Sequence, residues 1–256
     1  MEASFEVEVC VDSFESAVNA EKGGATRIEL CSSLLDGGIT PSLGMFKVIK
    51  RMIDIPIFVL VRPRGGDFCY SENEVAIMEE DISIFKAHNA DGFVVGALTS
   101  NGSVDRGTCQ RLMEAASPLP VTFHRAFDMS RDALQALEDI IALGCKRLLT
   151  SGQGKTVTEG LELLGKLSEM ARGRIIIMPG GGINEDNLEA VLKVTGTNTF
   201  HSSASISTKS QITFTNEKVS MGSNSSEYTW KVCSTQRVEN LVRVASRCLQ
   251  SKHVTL

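Results

Sequence analysis

Phe5-Glu6-Val7-Glu8-Val9-Cys10-Val11 and Thr26-Arg27-Ile28-Glu29-Leu30-Cys31-Ser32 read alike: each is an apolar run carrying Glu-x-Cys, and a helical stretch separates them. Residues two apart on a strand share a face. Glu8 therefore shares a face with Cys10, and Glu29 with Cys31. If the strands lie parallel and adjacent, this predicts two thiols at matching heights with two carboxylates beneath them.

The same alternation continues outward from this pair. Asp12 and Glu15 predict a capping box on the first helix, which Gly23-Gly24 closes. A Gly-rich loop over 34–41 and a helix carrying Phe46, Ile49 and Ile53 lead to a strand over 57–62, apolar on both faces as in a covered parallel sheet. Ser71 and Glu74 cap a helix with Val75, Met78, Ile82 and Phe85 on one side. Strands follow over 92–97, 120–124, 146–150, 174–178 and 198–202. Between them stand a helix near 105–117, one marked by Leu134, Leu137, Ile140 and Ile141, one capped by Thr156 and Glu159, and one capped by Asn184.

Eight strands alternating with helices predict an α/β fold: a single TIM-like (β/α)8 barrel over residues 1–256, in preference to an open doubly wound sheet. Residues 203–232, rich in Ser and Thr, break the rhythm. They read as an excursion over one barrel mouth, with short antiparallel strands and an alternating piece at Gln211-Ile212-Thr213-Phe214. Leu241, Val242, Ala245 and Leu249 mark the last helix.

A net charge of −5 argues against nucleic-acid and anionic-membrane partners, and no apolar run is long enough to span a bilayer. Met1 to Phe5 lacks the pattern of a signal peptide, and seven cysteines without Cys-x-x-Cys fit free thiols in a reducing compartment. The glycosylation acceptor sequences at Asn101 and Asn224 read as chance in that setting.

Barrels of this kind work at the C-terminal ends of their strands. Cys10 and Cys31 end the first two strands, and soft thiolates suit Cu(I), which accepts as few as two ligands. The bland alternative is two small core residues. Glu8 and Glu29 beneath them would push one carboxyl pKa up and make a general acid, unless Arg62 neutralises both as a structural ion cluster. His124 faces inward as a proton carrier, a ligand or a hydrogen-bonded core residue. The turn Gly180-Gly181-Gly182 before Asn184 offers backbone N–H groups to an anion, with Ser202 and Ser203 adding hydroxyls and Arg64 and Arg125 adding charge. Asp67, Asp128, Ser151 and His201, in the same strand-end motifs, complete the candidate substrate-binding set.

Long motifs then become recognisable: Glu8-Val9-Cys10, Arg27-Ile28-Glu29-Leu30-Cys31, Gly37-Gly38-x-Thr40-Pro41-Ser42, Arg62 through Ser71, Thr122 through Asp128, Leu149-Thr150-Ser151-Gly152 and His201-Ser202-Ser203-Ala204. From about residue 5 to 250 the chain resembles the CutC family, in its animal form. The resemblance implies a TIM-like barrel, a cytoplasmic and in animals also nuclear protein, and a homo-oligomer, dimer or tetramer. It also implies copper homeostasis, with Cu(I) held by the cysteines that match Cys10 and Cys31. The competing expectation is an enzyme acting on a small anionic or phosphorylated metabolite, with Glu8, Glu29 and His124 as proton-transfer groups. A pure scaffold would gain nothing from charge buried at one end.

Overall fold

Strand and helix alternate along the chain as β1 (Glu6–Val11), α1 (Phe14–Lys22), β2 (Arg27–Leu30), α2 (Leu43–Lys50), β3 (Ile57–Leu60), α3 (Glu72–Ala87), β4 (Gly92–Val95) and α4 (Arg106–Ala116). The pattern continues through β5 (Val121–Phe123), α5 (Ala133–Ala142), β6 (Arg147–Thr150), α6 (Leu161–Ala171), β7 (Ile176–Pro179), α7 (Leu188–Thr195) and β8 (Thr199–Ser202). A hairpin of β9 (Ser205–Lys209) and β10 (Thr229–Cys233) then precedes α8 (Thr235–His253). This computed structural model describes residues 5–216, 218–219 and 227–253. The acceptor sequence at Asn224 and the side chain of His253 lie outside what is described.

The first eight strands pair in the order β7-β6-β5-β4-β3-β2-β1-β8, every pair parallel. A parallel bridge from Gly180 to His201 brings the two ends of the sheet together into a nearly closed barrel. Alternate strand residues turn outward: Val7, Val9, Val11, Ile28, Leu30 and Val59 join Phe46, Ile49, Met78, Ile82 and Leu137 of the surrounding helices in one apolar core. The intervening residues face the barrel axis, and many are polar. As the sequence implies, β9 and β10 form a short antiparallel pair beyond β8. The alternating piece at 211–214 is not part of it and is exposed without regular structure. No helix among the described residues is long and apolar enough to cross a membrane.

Three expected caps differ. Ser13, not Asp12, caps α1 by accepting from Ser16 N–H, while Asp12 accepts from Leu34 N–H instead. Ser13 and Asp12 are both good cap residues, so the sequence alone does not choose between them. Thr156 and Glu159 lie in turns ahead of α6, whose cap is Gly160. Asn184 accepts from Asp186 and Asn187 N–H in a turn, and α7 begins only at Leu188. The helix therefore does not aim its N-terminus from the glycine turn. The capping box of Ser71 and Glu74 forms on α3 as expected.

One interior position is sterically closed. A Cβ at Gly92 would sit 2.4 Å from the Phe58 ring. The guanidinium groups of Arg27 and Arg147 pack on that ring, at 5.1 and 5.6 Å from its centroid, and limit its room to yield. Gly92→Ala is expected to destabilise the chain by about 1–3 kcal/mol through overpacking, read as a lower urea midpoint at unchanged m. An unchanged midpoint would mean the Phe58 stack is loose.

Candidate metal centre

The inward-facing residues of β8, β1 and β2 build a column of charge inside the barrel. At its base the exposed edge of Glu6 accepts from Arg147 Nη2 at 2.9 Å and from Arg27 Nη1 at 2.8 Å. Arg27 Nε donates to Glu8 Oε2 at 2.5 Å, and its Nη2 lies 3.1 Å from the Met178 sulfur. Glu8 is fully buried, and its other oxygen, Oε1, accepts from His201 Nδ1–H at 2.8 Å. A carboxylate can only accept here, so Nδ1 carries the proton and Nε2 faces upward to the mouth.

Above this column three donors converge. Cys10 Sγ, a Glu29 carboxylate oxygen and a His201 ring nitrogen all lie within 4.8 Å of one another, and all three residues are buried. His201 Nε2 stands 3.7 Å from Glu29 Oε2. The strand register explains the meeting: β1 pairs Cys10 with Glu29, and β8 pairs His201 with Glu8. The two Glu-x-Cys repeats are therefore staggered, because strands tilt and shear when a sheet closes. The Glu of the second repeat meets the Cys of the first, and the expected matching heights of Cys10 and Cys31 do not occur. Cys31 lies outside the three-donor group; its thiol donates to Val11 O at 3.4 Å and packs with Phe58, Leu60 and Val94.

The electrostatics divide the two carboxylates. Burial alone would raise Glu8, but the adjacent Arg27 charge and the His201 contact outweigh it and bring its pKa down to about 2. Glu29 is raised to about 7, first by burial and then by the charge of Glu8, against the pull of His201 and Arg27. Burial opposes charge on His201, yet Cys10, Glu8 and Glu29 hold its pKa well above the ordinary imidazole value. Burial pushes the Cys31 thiol well up, with Glu29 and Cys10 adding to it, so that sulfur resists ionisation. The neutralising cation is Arg27 rather than Arg62, whose Nη atoms donate to the backbone carbonyls of Asp36, Gly38 and Gly66.

The three donors stand at the floor of a cavity of about 850 Å³ that opens at the mouth. Arg62, His124, Arg125, Gly181, Gly182, Ser202 and Ser203 also border it, and the β9–β10 hairpin supplies part of its cover. Other expected residues are occupied elsewhere. Arg64 is held by Glu74 at 2.5 Å and Asp67 at 3.0 Å on the outer side of its loop, and neither Arg64 nor Asp67 borders the cavity. Asp128 is a loop anchor: it accepts from Thr150 Oγ1, from Gln153 N–H and from Arg125 Nε at 2.7 Å. Ser151 Oγ lies 3.0 Å from Asp128 and 2.6 Å from Gly154 O, and Ser151 is closed off from the cavity with Gly180. Arg125 does reach the turn; its guanidinium carbon would be 3.1 Å from a Cβ on Gly181, whose φ of +109° favours glycine. Ser202 Oγ donates outward to Ile183 O, and Ser203 pairs with Ser205.

Glu6, Arg27 and Arg147 complete this column, and no sequence motif singles them out. The signal present is strand parity, which Glu6 shares with Glu8 and Arg27 with Glu29.

The model of the CutC family matches residues 5–206. The copper homeostasis protein cutC homolog of Homo sapiens is 51% identical over 247 residues, covering 96% of this chain and 90% of that protein. A family protein CutC of Bacteroides fragilis is 47% identical over 238 residues, covering 92% of this chain and 95% of that one. Among solved structures, the putative copper homeostasis protein CutC from Streptococcus agalactiae superposes with a TM-score of 0.74 at 34% identity, over 78% of this chain and 98% of that one.

Proposed function

This chain belongs to the CutC family, and from that premise we propose that it serves copper homeostasis by binding Cu(I) between Cys10 and His201, with Glu29 as a third donor. The ion is cargo in this reading. The observation that carries it is the convergence of a sulfur, an imidazole nitrogen and a carboxylate oxygen within 4.8 Å. Thiolate and imidazole donors in low number suit Cu(I). The Glu8 bond to Nδ1 orients His201 as the outer partner of a ligating histidine does. A site made from Cys10 and Cys31 alone would need the Cys31 bond to Val11 broken and a thiol ionised against its burial.

Because Nε2 must give up its proton to the ion, binding competes with protonation of His201, whose pKa is well above 6.5. Apparent Cu(I) affinity is therefore expected to rise with pH from about 6 to about 8, by about tenfold per pH unit for each proton displaced. Competition against a Cu(I) chromophore under reducing, anaerobic conditions measures this. A flat profile would remove His201 from the ligand set.

A second reading rests on Glu29 at about 7 beside Glu8 at about 2, in a cavity larger than an ion needs. A carboxyl poised near neutral pH suits acid–base chemistry on a small anionic metabolite. Turnover by metal-free protein that disappears in Glu29→Gln would favour it.

A further inference from the structure

The cavity wall beyond β2 carries two groups that the copper reading leaves unused, one after β5 and one after β3. The His124 imidazole follows β5, buried, with its Nδ1 accepting from Ala126 N–H at 3.2 Å. That bond assigns the proton to Nε2. The Nδ1–Cε1 edge rests where a Gly96 side chain would be, at 2.6 and 2.7 Å from a Cβ there. Nε2–H is buried and has no hydrogen-bond partner among the described residues. An unmade bond of this kind is costly, and a ligand oxygen would recover it.

The second group is Arg62, 5% exposed, which borders the same cavity. Its hydrogen bonds go to backbone carbonyls, and no carboxylate pairs with it among the described residues. Its guanidinium carbon lies 4.9 Å from the Phe68 ring centroid, and that ring packs 5.0 Å from the His124 ring. The Arg62 charge is felt at His124, whose pKa burial and that charge bring down to about 3, so the imidazole is neutral. A buried cation without a carboxylate partner and a donor without an acceptor, packed on one ring and bordering one cavity, call for an anion.

We propose that the Arg62–His124 wall is a binding subsite for the carboxylate of a small organic acid, one oxygen of which accepts from His124 Nε2–H. Three of the guanidinium N–H donors are spent on Asp36, Gly38 and Gly66. The few donors left match a carboxylate better than a phosphate dianion. The inference rests on the reading of this cavity as a site for a small anionic metabolite, and it is tested without copper and without turnover.

The chain has four histidines, so imidazole NMR of the metal-free, full-length protein with labelled histidine separates them. Titration with acetate is expected to move the His124 Nε2–H resonance saturably to lower field, while chloride at equal ionic strength leaves it in place. Inorganic phosphate is expected to bind there more weakly. By calorimetry, His124→Phe is expected to lower acetate affinity about tenfold. A His124 resonance that ignores acetate, a response confined to His201, or tighter binding of phosphate than acetate at His124 would each overturn the assignment. The wild-type titration decides the matter even where the variant does not fold.

Discussion

Arg27→Met is expected to destabilise the folded chain by about 1–3 kcal/mol at neutral pH, the cost of leaving buried Glu8 with His201 as its remaining partner. Arg27 holds one oxygen of Glu8 and His201 the other, and Glu8 has no solvent contact. Glu6 keeps Arg147, so the loss falls on Glu8. The pH dependence supplies a second readout. A carboxyl with a lowered folded pKa stabilises above its unfolded value and loses that contribution as pH falls through the folded one. For Glu8 the window runs from 4.5 down to about 2. Wild-type protein should lose stability across it, and Arg27→Met should lose less. Glu8→Gln added to Arg27→Met should restore part of the loss, since the two residues share one interaction. Urea unfolding followed by circular dichroism over a pH series measures all three chains. A loss below about 1 kcal/mol in Arg27→Met would mean that Glu8 is not held as a buried carboxylate.

Cys10→Ser is expected to weaken Cu(I) binding on the order of a hundredfold or more, because a hydroxyl is a hard donor and the other two groups cannot replace a thiolate. Glu8→Gln keeps an acceptor for His201 but removes the charge behind it, and should cost about 10–100-fold. Cys31→Ser should change affinity by less than about threefold, since that sulfur is engaged with Val11 and lies outside the donor group. Equal losses in Cys10→Ser and Cys31→Ser would restore the two-thiol site that the sequence first implies.

The barrel was legible because its signals are local. Runs such as Ile57-Phe58-Val59-Leu60 and the Ser71–Glu74 capping box declare strand and helix without reference to distant chain. The inward turn of Glu8, Glu29, Cys10 and His124 was legible from strand parity alone. What parity cannot supply is register. The stagger between β1 and β2 arises from closing the whole sheet, and it decides that Cys10 meets Glu29 and not Cys31. For the same reason the sequence places His201 only among substrate-binding residues, since its pairing with Glu8 depends on where β8 docks. Loop side chains obey no period. Arg64 and Asp67 therefore read like Arg62, although one small ion cluster turns them away from the cavity. Asp128 likewise shows its anchoring role only once Thr150, Ser151 and Gln153 gather round it.

X-ray absorption at the copper edge of the equimolar Cu(I) complex tests the donor set most directly. The expected spectrum has one sulfur scatterer, from Cys10, together with nitrogen or oxygen scatterers that include the imidazole pattern of His201. A spectrum fitted by two sulfurs with no imidazole contribution would contradict the site proposed for this barrel.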